Sequence, residues 1–259
     1  MSQFKSRLRF ALKLSSLHFL ISCFIAALMA LIVFKLWYPH PFDKILGGLE
    51  LFFIVCSVDV VCGPLMTLIL ANPKKSKRET ALDFSIIGLI QISALLYGLH
   101  TVYVARPIYY AFDKDRFVTV ALAQLEKEQI EKAPEHLQKL PRTGPVMISL
   151  SKQQSVDLDS IMLSLSGVEA IARPERWIDF NPEDTQAIRQ KMFPIQMLYD
   201  SHVNKDKKSI IDKAVAKTGI TADKLYFLPF TCDRNLDWSA LLNEQGEIVG
   251  YVDADGFGQ

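Results

Sequence analysis

Hydrophobic residues fall into two regimes along this chain. Up to about residue 104 they run almost without interruption in three stretches, Leu14 to Trp37, Ile45 to Ala71 and Thr80 to Val104. Each stretch exceeds the roughly 20 residues that a helix needs to cross a hydrocarbon core of about 30 Å. The pattern therefore predicts a membrane domain over residues 1–104, with three transmembrane helices at about 14–37, 45–71 and 80–104. From residue 105 short apolar runs alternate with amphipathic segments, and 105–259 reads as a small extracytoplasmic α+β domain with an antiparallel sheet. Strands are predicted at Phe117 to Val120, Val146 to Leu150, Leu225 to Phe230, Trp238 to Leu242 and Ile248 to Val252, the last two joined by a turn at Asn243 to Gly246. Helices are predicted at Leu122 to Leu140 with a break at Pro134, at Asp157 to Leu165 closed by Gly167, after the Asn181-Pro182 start, and at Asp206 to Thr218 closed by Gly219.

Charge sharpens this division. The 259 residues carry a net charge of only +1, but the total conceals an asymmetry. Residues 1–104 hold about ten cations and five anions, and the remainder about nineteen and twenty-three. Basic residues flank apolar runs instead of forming a face on a folded domain, which argues against a nucleic-acid partner. Lys5, Arg7, Arg9 and Lys13 precede the first helix, and Lys74, Lys75, Lys77 and Arg78 separate the second from the third. Since Lys and Arg are retained on the cytoplasmic side, the N-terminus is expected inside and the C-terminal domain outside, with Trp37, Tyr38 and Phe42 at the outer interface. A cleaved signal peptide is the competing reading of the first stretch. Its apolar run is longer than a usual signal core, and no small-residue cleavage site precedes Trp37.

Polar residues within such helices need partners. Asp59 lies near the middle of the second helix beside Gly63 and Pro64, where the missing proline N–H should bend the helix. Gln91 lies at a similar depth in the third, on a stripe with Gly88 and Gly98, so the Asp59 and Gln91 side chains are expected to meet. These six residues form the candidate membrane-embedded interaction site. His18 and Asp83 fall near the inner helix ends, while Lys35, Glu50 and His100 form an expected interfacial layer at the outer ends.

Catalytic signatures are thin. No Walker loop, dinucleotide fingerprint or nucleophile elbow occurs, and the five His residues have no ligand-like spacing, so neither a catalytic residue nor a metal or other cofactor is expected. Asp253, Asp255 and Gly256 imitate the start of a calcium loop but read as a polar terminus. Of the four cysteines, Cys23, Cys56 and Cys62 lie in apolar stretches, leaving Cys232 alone in the outer domain, where burial is expected in preference to pairing with another chain.

Several segments together resemble a known family. The segment Trp37-Tyr38-Pro39-His40-Pro41-Phe42, the pair Gly47-Gly48, the intramembrane Val58-Asp59-Val60-Val61-Cys62-Gly63-Pro64-Leu65, Tyr97-Gly98, Arg106-Pro107 and the late Asp237-Trp238-Ser239-Ala240-Leu241 resemble the TfpX/TfpZ type IV pilin accessory proteins. The resemblance implies a noncatalytic bacterial inner-membrane factor or chaperone. Its implied partners are a cognate major type IV pilin, through membrane helix or periplasmic head, a pilus assembly platform, and membrane lipids. Two other readings are a membrane-anchored periplasmic sensor signalling through a partner, and a pilin-modifying enzyme. The expected orientation has a direct check: an export-dependent reporter fused at the C-terminus should be active, and one placed within Lys74 to Arg78 inactive. The reverse pattern would invert the topology.

Overall fold

The computed structural model describes residues 2–151, 169–202, 204–232 and 235–257. The chain divides into two compact units, Met1–Ala105 and Arg106–Gln259.

Three long helices make the first unit. The first runs Ser2–Ile32 and continues through a π-helical turn, Val33–Trp37. Gly47, at φ 67°, then separates a one-turn helix, Phe42–Ile45, from the second long helix, so that helix begins at Gly48 and not at Ile45. The second helix comprises Gly48–Ser57, a π turn at Val58–Cys62, and Gly63–Leu70. Ser76 starts the third, Lys77–Val104, with a reciprocal capping box: Ser76 Oγ accepts from Glu79 N and Glu79 Oε2 accepts from Ser76 N. All three helices are long and apolar enough to cross a membrane. Their outward faces remain apolar: Phe53, Ile54, Ile69, Leu89 and Leu96 are all more than half exposed. Inside, Val33, Tyr38, Phe52, Cys56 and Val102 form the packed centre.

Tyr38 closes one end of this unit. It is fully buried, donates its hydroxyl to Val102 O at 3.0 Å, and lays its ring so close to Gly48 that a Cβ there would sit 2.5 Å from the ring. Trp37 stacks edge-to-face on Tyr103 at 5.0 Å beside it. Tyr38, which the sequence places at the outer interface, is thus also an interior packing element of the bundle.

Among the described residues the second unit has eight strands: β1 Pro107–Asp113, β2 Arg116–Ala121, β3 Val146–Leu150, β4 Trp177–Ile178, β5 Phe193–Pro194, β6 Tyr226–Cys232, β7 Asn235–Leu242 and β8 Ile248–Val252. Their order is β4-β3-β1-β2-β6-β7-β8, with β5 paired to β6. The expected antiparallel sheet is corrected to a mixed one, because β3 pairs with β1, and β6 with β2, in parallel. Hairpin turns are local and visible in sequence, whereas these two pairings join segments brought together by long crossovers. Thr231 Oγ1 donates to Phe117 O at 3.2 Å across such a join, 114 residues away in the chain.

Two further expectations change. β1, β4 and β5 lie outside the predicted strands, although Ile108 to Phe112 of β1 precedes the tight Lys114-Asp115 turn. Leu122 to Leu140 is not a long helix: it holds a 3-10 turn, Leu122–Gln124, and one helical turn, Lys127–Ile130. Gln124 Oε1 accepts from Ala121 N and Gln129 Oε1 from Glu126 N, so the side chains cap short turns. Leu122, Leu125, Ala133, Leu137 and Leu140 nevertheless cover one core, around Trp177, Ile148 and Ile108, which explains their helix-like spacing. The predicted helix at Asp157 to Leu165 and its closing Gly167 lie outside the described residues.

The helices after Asn181 and Asn204 follow their sequence signals, while Ile195–Ser201 is a further helix that the pattern does not predict. Asn181 Oδ1 caps Pro182–Lys191 through Glu183 N, Asn204 Oδ1 caps Lys205–Thr218 through Asp206 N, and Gly219 ends the latter at φ 68°. Ile195–Ser201 and Lys205–Thr218 supply Ile195, Leu198 and Ile211 to a second core with Phe227, Leu241 and Val252. The β7-β8 turn is held by Asn243 Oδ1, which accepts from Gln245 N and Glu247 N.

Candidate functional site

Proline chemistry organises the centre of the first unit. Pro64 has no N–H, so a carbonyl of the preceding turn, Val60 O at α-helical spacing or Asp59 O at π-helical spacing, lacks its usual donor. The second helix widens into the π turn Val58–Cys62 directly before Gly63 and Pro64. Within that turn Gln91 of the third helix donates Nε2 to Asp59 O at 3.1 Å. Its amide lies across Gly63, where a Cβ would overlap it. Asp59 and Gln91 are therefore brought together, but through the Asp59 main chain and not its carboxylate: the amide donor reaches the carbonyl of the widened turn.

From this point to its C-terminal end, the second helix is tied to its neighbours by a series of polar contacts. Ser15 Oγ donates to Pro64 O at 2.8 Å, and His18 Nδ1 lies 2.6 Å from Thr67 Oγ1. Arg7 Nη2 donates to Ile69 O, and Lys75 Nζ to both Leu70 O and the Asp83 carboxylate. Cations meeting the last carbonyls of a helix also complement its dipole. His18 and Asp83 thus have separate partners. Sequence reasoning missed Ser15 and Thr67, whose only signal was a single hydroxyl in an apolar run.

The three glycines differ. Gly63 receives Gln91, and Gly98 receives Val55, whose methyl would overlap a Cβ. Gly88 meets nothing within 4 Å. It lines a cavity of about 190 Å³ together with Asp59, Gln91, His18, Ser22, Cys56 and aliphatic residues that include Ile21, Ile92 and Leu95. Oδ1 of Asp59 is buried and, among the described residues, has no hydrogen-bond donor. Asp59, Gly63, Pro64, Gly88 and Gln91 accordingly form one locality, and Gly98 a separate packing contact. Lys35, Glu50 and His100 are exposed side chains, and the interior of their end of the unit is occupied by Tyr38.

The second unit has its own groove, of about 270 Å³, lined by Asp115, Phe193, Met197, Ser201, Phe227, Pro229, Gly256 and Phe257. Arg116 lies 4.3 Å from the Phe257 ring centroid and donates to Asp115 at 2.7 Å, which holds the Asp115 carboxyl below its ordinary value. Asp253 pairs with Lys207, Asp255 accepts from Phe257 N, and Cys232 is buried in β6. Among the described residues no group of three His, Cys, Asp or Glu is placed to hold a metal ion.

Comparison with known proteins adds a family. The family model described as "Fimbrial assembly protein FimB" matches residues 6–47. Over 255 residues the chain is 31% identical to "Fimbrial assembly protein, serogroup I" of Dichelobacter nodosus, covering 98% of both chains. It is 30% identical over 255 residues to the serogroup E1 protein of the same organism, again with 98% of each covered. A shorter relative, of serogroups C1 and C2, is 43% identical over 129 residues, which is 50% of this chain and 98% of that one. No solved structure matches. The relatives carry the fimbrial assembly name in place of TfpX/TfpZ, and the two agree on a fimbrial accessory family.

The glycine geometry sets an order of sensitivity. Gly98→Ala should cost about 1–3 kcal/mol through overlap with the stiff Val55 side chain. Gly63→Ala should cost less, since the Gln91 amide can swing aside with loss of one hydrogen bond, and Gly88→Ala should be neutral or slightly stabilising. Thermal unfolding of the detergent-solubilised chain ranks the three. Gly88→Ala proving the most damaging would contradict the packing described.

Proposed function

Because the chain belongs to the family of fimbrial assembly proteins, we propose that it is a noncatalytic, membrane-embedded accessory factor or chaperone that binds a cognate type IV fimbrial subunit and supports its stability, assembly or pilus dynamics. The observation that carries this reading is a buried carboxylate oxygen left without a donor inside a three-helix unit whose other interior polar groups are paired. Asp59 Oδ1 has no donor although its neighbours are tied by hydrogen bonds. Intramembrane ionisable groups are costly and mark functional positions.

Membrane insertion is supported by the outward apolar faces, which water would not tolerate at this extent. Arg7 and Lys75 both reach the C-terminal carbonyls of the second helix, so the basic tail and the basic loop share one end of the bundle. By cation retention that end is cytoplasmic, and residues 106–257 lie in the periplasm of a bacterial inner membrane. The subunit is then met in the membrane, at its periplasmic head, or in both places, with the assembly platform as a further partner.

Deletion of the gene in a fimbriate host should lower surface fimbriae severalfold, measured by immunoblot of sheared fimbriae and by electron microscopy, with recovery on complementation. Normal fimbriation together with a normal cellular level of subunit would reject the reading.

A further inference from the structure

We propose that the cavity beside Asp59 is a docking site for one apolar membrane-spanning helix of the fimbrial subunit, and that the Asp59 carboxylate recognises a hydrogen-bond donor carried on that helix. The inference rests on the reading of this chain as a subunit-binding membrane factor, and adds where and by what chemistry the subunit is held.

Three observations converge on it. The first is the chemistry of the wall. Asp59 lines the cavity and has an oxygen without a donor, whereas Gln91 beside it is engaged with the Asp59 carbonyl. An acceptor left unmatched in a low-dielectric setting costs far more than one hydrogen bond contributes in water, so an incoming donor gains the difference. A lipid tail would leave the carboxylate as unmatched as before.

The second is the shape. Gly88 faces open space, while Gly63 and Gly98 on the same bundle each accommodate a neighbour's side chain. The vacancy, about 190 Å³, is of the order that holds a small ring or several waters, and so admits one large side chain. The third is access. Ile21 and Ile92 line the cavity yet are each at least half exposed, so it opens on the outer surface of the bundle between the first and third helices. Anything entering there from a membrane has to satisfy its own main chain, which restricts a protein occupant to a helix.

The test uses the full-length chain in membranes, produced together with its cognate fimbrial subunit, with a photocrosslinking amino acid at Ile92 and, as an outward-facing control, at Leu65. The Ile92 position should crosslink the subunit and Leu65 should not. Asp59→Leu should reduce the Ile92 crosslink about tenfold, through loss of one hydrogen bond, while Asp59→Asn, which keeps an acceptor oxygen, should retain most of it. Gly88→Leu fills the vacancy from a position with no neighbour to displace, so it should remove the crosslink without lowering the amount of protein. That variant keeps the test decisive if Asp59→Leu fails to accumulate.

An Ile92 crosslink unchanged by both Asp59→Leu and Gly88→Leu overturns the inference, as does an Ile92 crosslink to a second copy of this chain or to lipid alone. Subunit crosslinks from Met197 in the periplasmic unit, with none from Ile92, overturn it while leaving the proposed function standing. Absence of subunit crosslinks from every position, with fimbriation independent of the gene, removes the proposed function itself.

Discussion

The missing N–H of Pro64 is the constraint on which the three-helix unit depends. An apolar helix has no water to answer its main chain, so a carbonyl released by proline has to be answered by another segment. Here the helix widens into a π turn, in whose i→i+5 spacing Pro64 stands opposite Asp59 O, and Gln91 supplies the donor that Pro64 lacks, while Ser15 adds a second tie at Pro64 O. Each such bond contributes only about 0.6 kcal/mol on average between membrane helices. Their effect is to fix register: once Gln91 is seated on Gly63, and Ser15 on the Pro64 carbonyl, the depth of all three helices is determined. Tyr38, bonded to Val102 O and packed on Gly48, fixes the opposite end in the same way.

That arrangement separates two roles that a polar residue can play. Gln91, Ser15, Thr67 and His18 are occupied within the unit and hold it together. The Asp59 carboxylate is not, although its own carbonyl is. A residue whose main chain serves the fold and whose side chain remains without a donor is in position to recognise something outside the chain. The same logic distinguishes Gly63 and Gly98, which are filled, from Gly88, which is not.

Legibility in the sequence followed the range of the interactions. The three long helices, the capped helices after Asn181 and Asn204, and the Asn243 turn rest on local signals and were all visible. The parallel β1-β3 and β2-β6 pairings were not, because nothing local to Val146 or Phe230 specifies a partner far along the chain. Leu122 to Leu140 misled for the opposite reason: its apolar spacing is dictated by the core that it covers, not by a helical repeat. At the candidate site, Asp59, Gly63, Pro64 and Gln91 could be grouped by depth alone. Which atom Gln91 chose could not, since that depends on the π turn, and the emptiness beside Gly88 depends on the packing of all three helices.

The central claim is that the Asp59 carboxylate gains its partner from outside the chain. Solid-state NMR of the chain in lipid bilayers, with the Asp59 side chain carboxyl labelled with 13C, addresses it directly. Addition of the cognate fimbrial subunit should shift the Asp59 carboxyl resonance while leaving an outward control such as Leu65 unchanged. A carboxyl resonance identical with and without the subunit, in bilayers where the two proteins co-purify, would contradict it.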